Sequence, residues 1–129
     1  MATAKEGALK LMETNAIAAS GWSAADATHG PLGQVVRGTG VVALTSGEAG
    51  RDSVISFADA ARRLGGVIAE VGGCVIDVAQ VQVPTAMVAS ELSPLVDIFP
   101  LQRLALELAL RRGLDPDRPA GLAKVTKTT

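Results

Sequence analysis

The chain has 129 residues, 12 basic and 13 acidic, for a formal net charge of −1, a length that suits one domain. Apolar residues make up 48% of it, which excludes a disordered tail and supplies a core able to bury roughly two-thirds of the unfolded surface. The charge balance speaks against nucleic acid or an anionic membrane as partner; Trp22, Phe57 and Phe99 are the only aromatic residues, too few for base stacking or an aromatic sugar platform.

Residues 3–19 are rich in Ala, Leu, Lys and Glu with a single Gly, and residues that lose little freedom in a helix predict one here. Gly21 and the polar stretch to Gly33 predict a loop, with Pro31 restricting what precedes it. Val41-Val42-Ala43-Leu44-Thr45 is a continuous apolar run, the pattern of a strand covered on both faces. Residues 46–50 form a turn, after which Asp52 or Ser53 can cap a helix with apolar positions Val54, Phe57, Ala58, Ala61 and Leu64. Gly65-Gly66 stops it, and Val67-Ile68-Ala69 returns as a second strand, completing a right-handed parallel crossover. Cys74 to Val78 and Val81 to Val83 are shorter strand candidates, set off by a turn around Gly72-Gly73. The last large element is a helix over residues 93–112, with Ser93 as cap and Pro94 in its first turn. Pro100 is expected to kink or split it. Leu101, Leu104, Leu106, Leu108 and Leu110 leave its second half little polar surface, so that half should be buried in the fold or in a partner. Gly113 ends it, and residues 115–129 make an irregular tail. The class is α/β, a single domain with a parallel sheet flanked by helices.

Cys74 is the only cysteine, so an intrachain disulfide is excluded and a cysteine-based metal cluster is not expected. In the run Cys74-Val75-Ile76 it is expected to be a buried thiol acting as a small hydrophobe. No apolar stretch approaches the roughly 18–20 residues of a membrane span, the N-terminus has no signal-peptide core, and a cytoplasmic location is expected.

Four features could carry chemistry. Glu6, Lys10 and Glu13, at spacings of four and three, share one face of the first helix; the plain reading is a solvated face, with an ion pair worth about 0.2–0.5 kcal/mol. His29 is the only histidine and sits in a loop, where it is ordinarily incidental, although an imidazole suits proton transfer near neutral pH. The turn 46–50, between a strand and a helix N-terminus, could offer backbone N–H groups to a phosphate, but Glu48 and Asp52 would repel an anion, which favours a connecting turn. The tail around Lys124 reads by itself as a basic terminus.

In combination and order these features gain meaning. Glu6-Gly7-Ala8-Leu9-Lys10-Leu11-Met12-Glu13, then Ser23-Ala24-Ala25-Asp26 and His29-Gly30-Pro31-Leu32, then Asp115-Pro116-Asp117-Arg118-Pro119 and Leu122-Ala123-Lys124-Val125-Thr126 closely resemble the sugar isomerase (SIS) family. Within it they are similar to the C-terminal isomerase subdomain of the glucosamine-6-phosphate synthases and their deaminase relatives, over essentially the whole chain. The resemblance implies a three-layer, flavodoxin-like fold and a sugar-phosphate substrate, without metal or cofactor. It implies that Glu13 moves a proton between C1 and C2 of the open-chain sugar, that Lys10 and Glu6 orient and charge the site, that His29 assists ring opening from a neighbouring subunit, and that Lys124 reaches the sugar from the 115–129 tail. It also implies that the chain starts inside the first helix without the strand that precedes it in relatives, and lacks the subdomain whose Ser/Thr-rich loops hold the phosphate. The expectations are half of an active unit, weak or inactive alone, and a homo-oligomer, in the family a dimer, here with the possibility of exchanged elements. Two other classes remain open: a non-catalytic sugar-phosphate sensor, and an assembly fragment without ligand.

Overall fold

The computed structural model describes residues 1–86 and 88–121. Helix α1, Ala2–Asn15, is followed by a short helix α2, Ala24–Ala27, and a 3-10 turn, Pro31–Gln34. Strand β1, Gly40–Leu44, helix α3, Arg51–Arg63, and strand β2, Val67–Gly72, form the expected crossover, and strand β3, Val81–Pro84, and helix α4, Ser93–Arg111, complete the chain. The three strands are parallel in the order β1-β2-β3, in a register that pairs Gly40 with Val67 and Ala69 with Val81. The sheet is open, with β1 and β3 as its edges.

Strand alternation divides the core into two layers. Ala43 and Ile68 point toward α3, where they pack with Val35, Ala58, Ala61 and Ile76. On the other face α4 lies against β2, and α1 packs on α4. Alanines line both seams, with Ala58, Ala61 and Ala109 fully buried, so backbones approach closely. Gly7 is the tightest point between α1 and α4, since a Cβ there would lie 2.7 Å from Leu101 Cδ1.

Several sequence expectations need correction. Helix α1 ends at Asn15, not near residue 19: Ala16 turns left-handed at φ 50° and its N–H closes on Met12 O. The chain then doubles back along α1, and Gly21 passes so near its first turn that a Cβ would stand 2.4 Å from the Ala4 carbonyl carbon. Gly50 at φ 76°, rather than Asp52 or Ser53, stands at the start of α3. Ser93 lies inside α4, preceded by Leu92, and its hydroxyl donates back to Ser90 O at 2.9 Å. Pro100 does not split α4, which runs unbroken. Residues 74–78 are not a strand, and Cys74 is exposed, not buried. Its backbone sits at φ 54°, and the following N–H groups are drawn inward to Glu70, which turns the thiol outward.

No helix among the described residues is long and apolar enough to cross a membrane.

Candidate functional site

The helical spacing of Glu6, Lys10 and Glu13 produces a working contact. Lys10 Nζ donates to Glu13 Oε2 at 2.7 Å and stands 3.6 Å from Glu6 Oε1. All three side chains are partly exposed. The hydrogen bond to Glu13 pushes the Lys10 ammonium above its ordinary pKa, against partial desolvation, with Glu6 adding to the shift. Lys10 is therefore a fixed positive charge between two carboxylates.

The end of α1 is tied to α4. Asn15 is fully buried; its side-chain amide donates to Ala105 O at 2.9 Å, and the Arg112 guanidinium donates to Asn15 O. Gly113 at φ 70° then turns the chain back toward α1. Asp115 Oδ1 accepts from Asp117 N at 3.0 Å, the local turn that Asx residues favour. The result is a cavity of about 190 Å³ lined by Glu13, Thr14, Ala16, Asp115, Arg118 and their neighbours. Two of the three sequence motifs thus meet at Glu13. Its walls carry a carboxylate able to take a proton and a guanidinium able to bind a hydroxyl or an anion.

The third motif does not join them within the described chain. His29 is exposed, between α2 and the 3-10 turn, both of which lie against α3, and it does not line the cavity beside Glu13. Lys124 lies outside the described residues.

Two buried carboxylates were not singled out in the sequence. Glu70, in the middle of β2, is fully buried. Its oxygens accept from Thr45 Oγ1 at 2.6 Å, Val75 N at 2.8 Å, Ile76 N at 2.9 Å and Gln82 Nε2 at 3.0 Å. Burial alone would raise its pKa, but these donors together outweigh burial and hold it below the ordinary 4.5. An acid inside the apolar run Val67-Ile68-Ala69-Glu70-Val71 was the available signal.

Asp97 lies on the buried side of α4 and accepts a hydrogen bond from Ser46, whose hydroxyl is also 2.6 Å from Thr85 Oγ1. These groups join the turn after β1 to the end of β3 and to α4, so the 46–50 turn works as a structural connection. Burial pushes the Asp97 pKa above its ordinary 3.8, more than the Ser46 hydrogen bond lowers it. A folded-state pKa above the unfolded value means that the native state holds the proton longer and that stability falls as pH rises between the two values. Asp97→Asn keeps an acceptor for Ser46 and removes the buried charge. It is expected to raise Tm at pH 7 by about 1–4 °C, with the gain shrinking toward pH 4, as read by thermal melts at the two pH values.

No family model matches the chain. It is 41% identical over 124 residues to the glutamine–fructose-6-phosphate aminotransferase (isomerizing) of Thermococcus kodakarensis, a match covering 95% of this chain and 21% of that one. The chain therefore spans about a fifth of the length of the curated relatives it matches. Among solved structures it is similar to the C-terminal domain of glucosamine-fructose-6-phosphate aminotransferase from Francisella tularensis, with TM-score 0.76, 27% identity, and coverage of 90% of this chain and 34% of that one. The fold alone is shared with glucosamine-6-phosphate deaminase from Thermotoga maritima, with TM-score 0.73, 24% identity, and coverage of 95% of this chain and 35% of that one.

Proposed function

The chain belongs to the sugar isomerase (SIS) family, and from that premise we propose that it is the proton-transfer half of a phosphosugar isomerase, acting on an amino-sugar or ketose phosphate. Glu13 takes the proton from one of the two carbons C1 and C2 and returns it to the other, while a second proton passes between O2 and O1 in the same direction by way of an enediol. Lys10 holds the Glu13 carboxylate in place and, with Glu6, sets the charge of the face. The Lys10 ammonium and Arg118 favour the negative charge that grows on the sugar oxygens. His29 assists ring opening from a second copy, and Lys124 supplies a further cation to the sugar.

The observation that carries this is the meeting of Glu13, held by Lys10 at 2.7 Å, with the 115–118 turn around one cavity. The relatives' names, which join isomerisation to fructose 6-phosphate, agree with it. The chain spans about a fifth of the length of its relatives, and on this reading the phosphate is held by residues outside the matched part, so slow turnover is the expectation for these 129 residues alone. Titration with fructose 6-phosphate, followed by backbone NMR, is expected to shift amides of residues 6–13 and 113–118 first. Shifts confined to other segments, or isomerisation at the rate of a full-length relative, would overturn the proposal.

A further inference from the structure

The cavity beside Glu13 has two walls that come from opposite ends of the chain. One is the end of α1, with Glu13, Thr14 and Ala16; the other is the segment from Gly113 to Ala120 that leaves α4. A carboxylate acts on a sugar carbon only from near contact, and a displacement of about 1 Å can cost roughly 100-fold in rate. The spacing of the walls therefore matters as much as the groups they carry. Lys10 does not set that spacing, because Lys10 and Glu13 belong to one helix and move together.

Arg112 joins the two walls. Its backbone caps the C-terminus of α4 and precedes Gly113, which turns the chain at φ 70°. Its guanidinium reaches across to Asn15 O, two residues beyond Glu13. Among the described residues this is the only hydrogen bond between α1 and residues 112–121. The chemistry suits the place: the last carbonyls of a helix lack intrahelical partners and carry the negative end of its dipole, and a guanidinium answers both. Asn15 completes the junction from inside. Its amide donates to Ala105 O of α4 at 2.9 Å and to Thr14 Oγ1 at 2.8 Å, and Thr14 Oγ1 donates to Lys10 O at 2.8 Å. Asn15 Oδ1 is buried and meets no donor among the described residues. An apolar side chain would fill the seam without an orphaned acceptor, whereas the amide fixes one position of α1 on α4. We propose that Arg112 is a positioning residue for the sugar site: by holding Asn15 O it sets the separation between Glu13 and the turn that carries Arg118. This rests on the proton-transfer reading of Glu13 and adds to it a residue that acts through the wall and not on the sugar.

The test uses the full chain, first free and then with fructose 6-phosphate. In the free chain the backbone order parameters of residues 114, 115, 117 and 118 are expected to fall from about 0.85 toward about 0.6 in Arg112→Met. They should stay near the parent values in Arg112→Lys, since the contact is a single hydrogen bond that an ammonium can also donate. The Arg112 side chain is exposed, so both variants should keep the far-UV circular dichroism of the parent. With the sugar at saturation, exchange of its C1 and C2 hydrogens with solvent deuterium is expected to fall about 10–100-fold in the Met variant. The Kd should change little, and the Lys variant should recover most of the lost rate. A residue that merely stabilised the fold would lower Tm without this split between rate and binding. Parent order parameters in Arg112→Met, a loss of exchange as large in the Lys variant, or a loss confined to Kd would each overturn the assignment. A parent chain that exchanges no sugar hydrogen would overturn the proton-transfer reading instead, with the order parameters still deciding whether Arg112 holds the walls.

Discussion

Replacing Glu70 by alanine is expected to cost about 2–6 kcal/mol of folding free energy, a large share of the ~5–15 kcal/mol that holds a domain of this size. The loss comes from the donors left behind, since the deleted atoms themselves are polar. Thr45 Oγ1 and Ile76 N are buried and have Glu70 as their acceptor, at 2.6 and 2.9 Å, with Val75 N and Gln82 Nε2 beside them. Each buried donor without a partner costs roughly 1–3 kcal/mol. Glu70→Gln is the sharper variant. It keeps the volume, but its amide nitrogen would turn two hydrogens toward groups that are themselves donors, so it too is expected to be strongly destabilising. Urea unfolding followed by circular dichroism reads both, and a Gln variant as stable as the parent would contradict the four-donor geometry. The pH dependence has a fixed sign. Because the folded-state pKa lies below the ordinary 4.5, the stabilisation is present above 4.5 and is lost as pH falls through the folded value. The parent should therefore lose stability on acidification below about 4.5, and the alanine variant should not show that component.

The second large effect is expected from the proposed catalytic role of Glu13. Glu13→Gln preserves shape and the ability to accept from Lys10, but it removes the basic oxygen. Exchange of the sugar's C1 and C2 hydrogens with solvent deuterium, measured by NMR at high protein concentration, is expected to fall about 10²–10⁴-fold. Binding of fructose 6-phosphate, read from the same amides, should change little, because the cavity and its Arg118 are untouched. Exchange equal to that of the parent would remove Glu13 from the proton path, and unchanged binding without exchange in either chain would favour a sensor. Lys10 is a different kind of residue. It holds Glu13 and remains cationic, so Lys10→Met would disturb the pH profile as well as the rate.

The crossover β1-α3-β2 and the final helix were legible because their apolar spacing is local and strong. The face of α1 was legible for the same reason, since helical geometry alone brings Glu6, Lys10 and Glu13 together. The errors fall where a distant group decides. Residues 16–19 have helical propensity, but Asn15 is consumed by Ala105 and Arg112, about ninety residues away in the chain, and Ala16 must turn. Residues 74–78 are apolar enough for a strand, but Glu70 takes their N–H groups, and a carboxylate acting as acceptor for a loop has no signature in the loop's own sequence. The meeting of the 115–118 turn with Glu13 depends on both helices being in place, so resemblance rather than periodicity pointed to it.

The packing of α1 also bears on the order in which the molecule comes apart. This helix rests chiefly on α4, through the tight Gly7–Leu101 contact and the Asn15 ties. Its release breaks no strand pairing. In native-state hydrogen exchange the amides of α1 should open in a sub-global unit, at lower free energy than those of β1 and β2. Equal protection of helix and sheet would mean that the molecule opens only as a whole. On that expectation the element that opens first is the one that carries Glu13, and the face proposed for proton transfer comes apart and re-forms while the sheet stays folded.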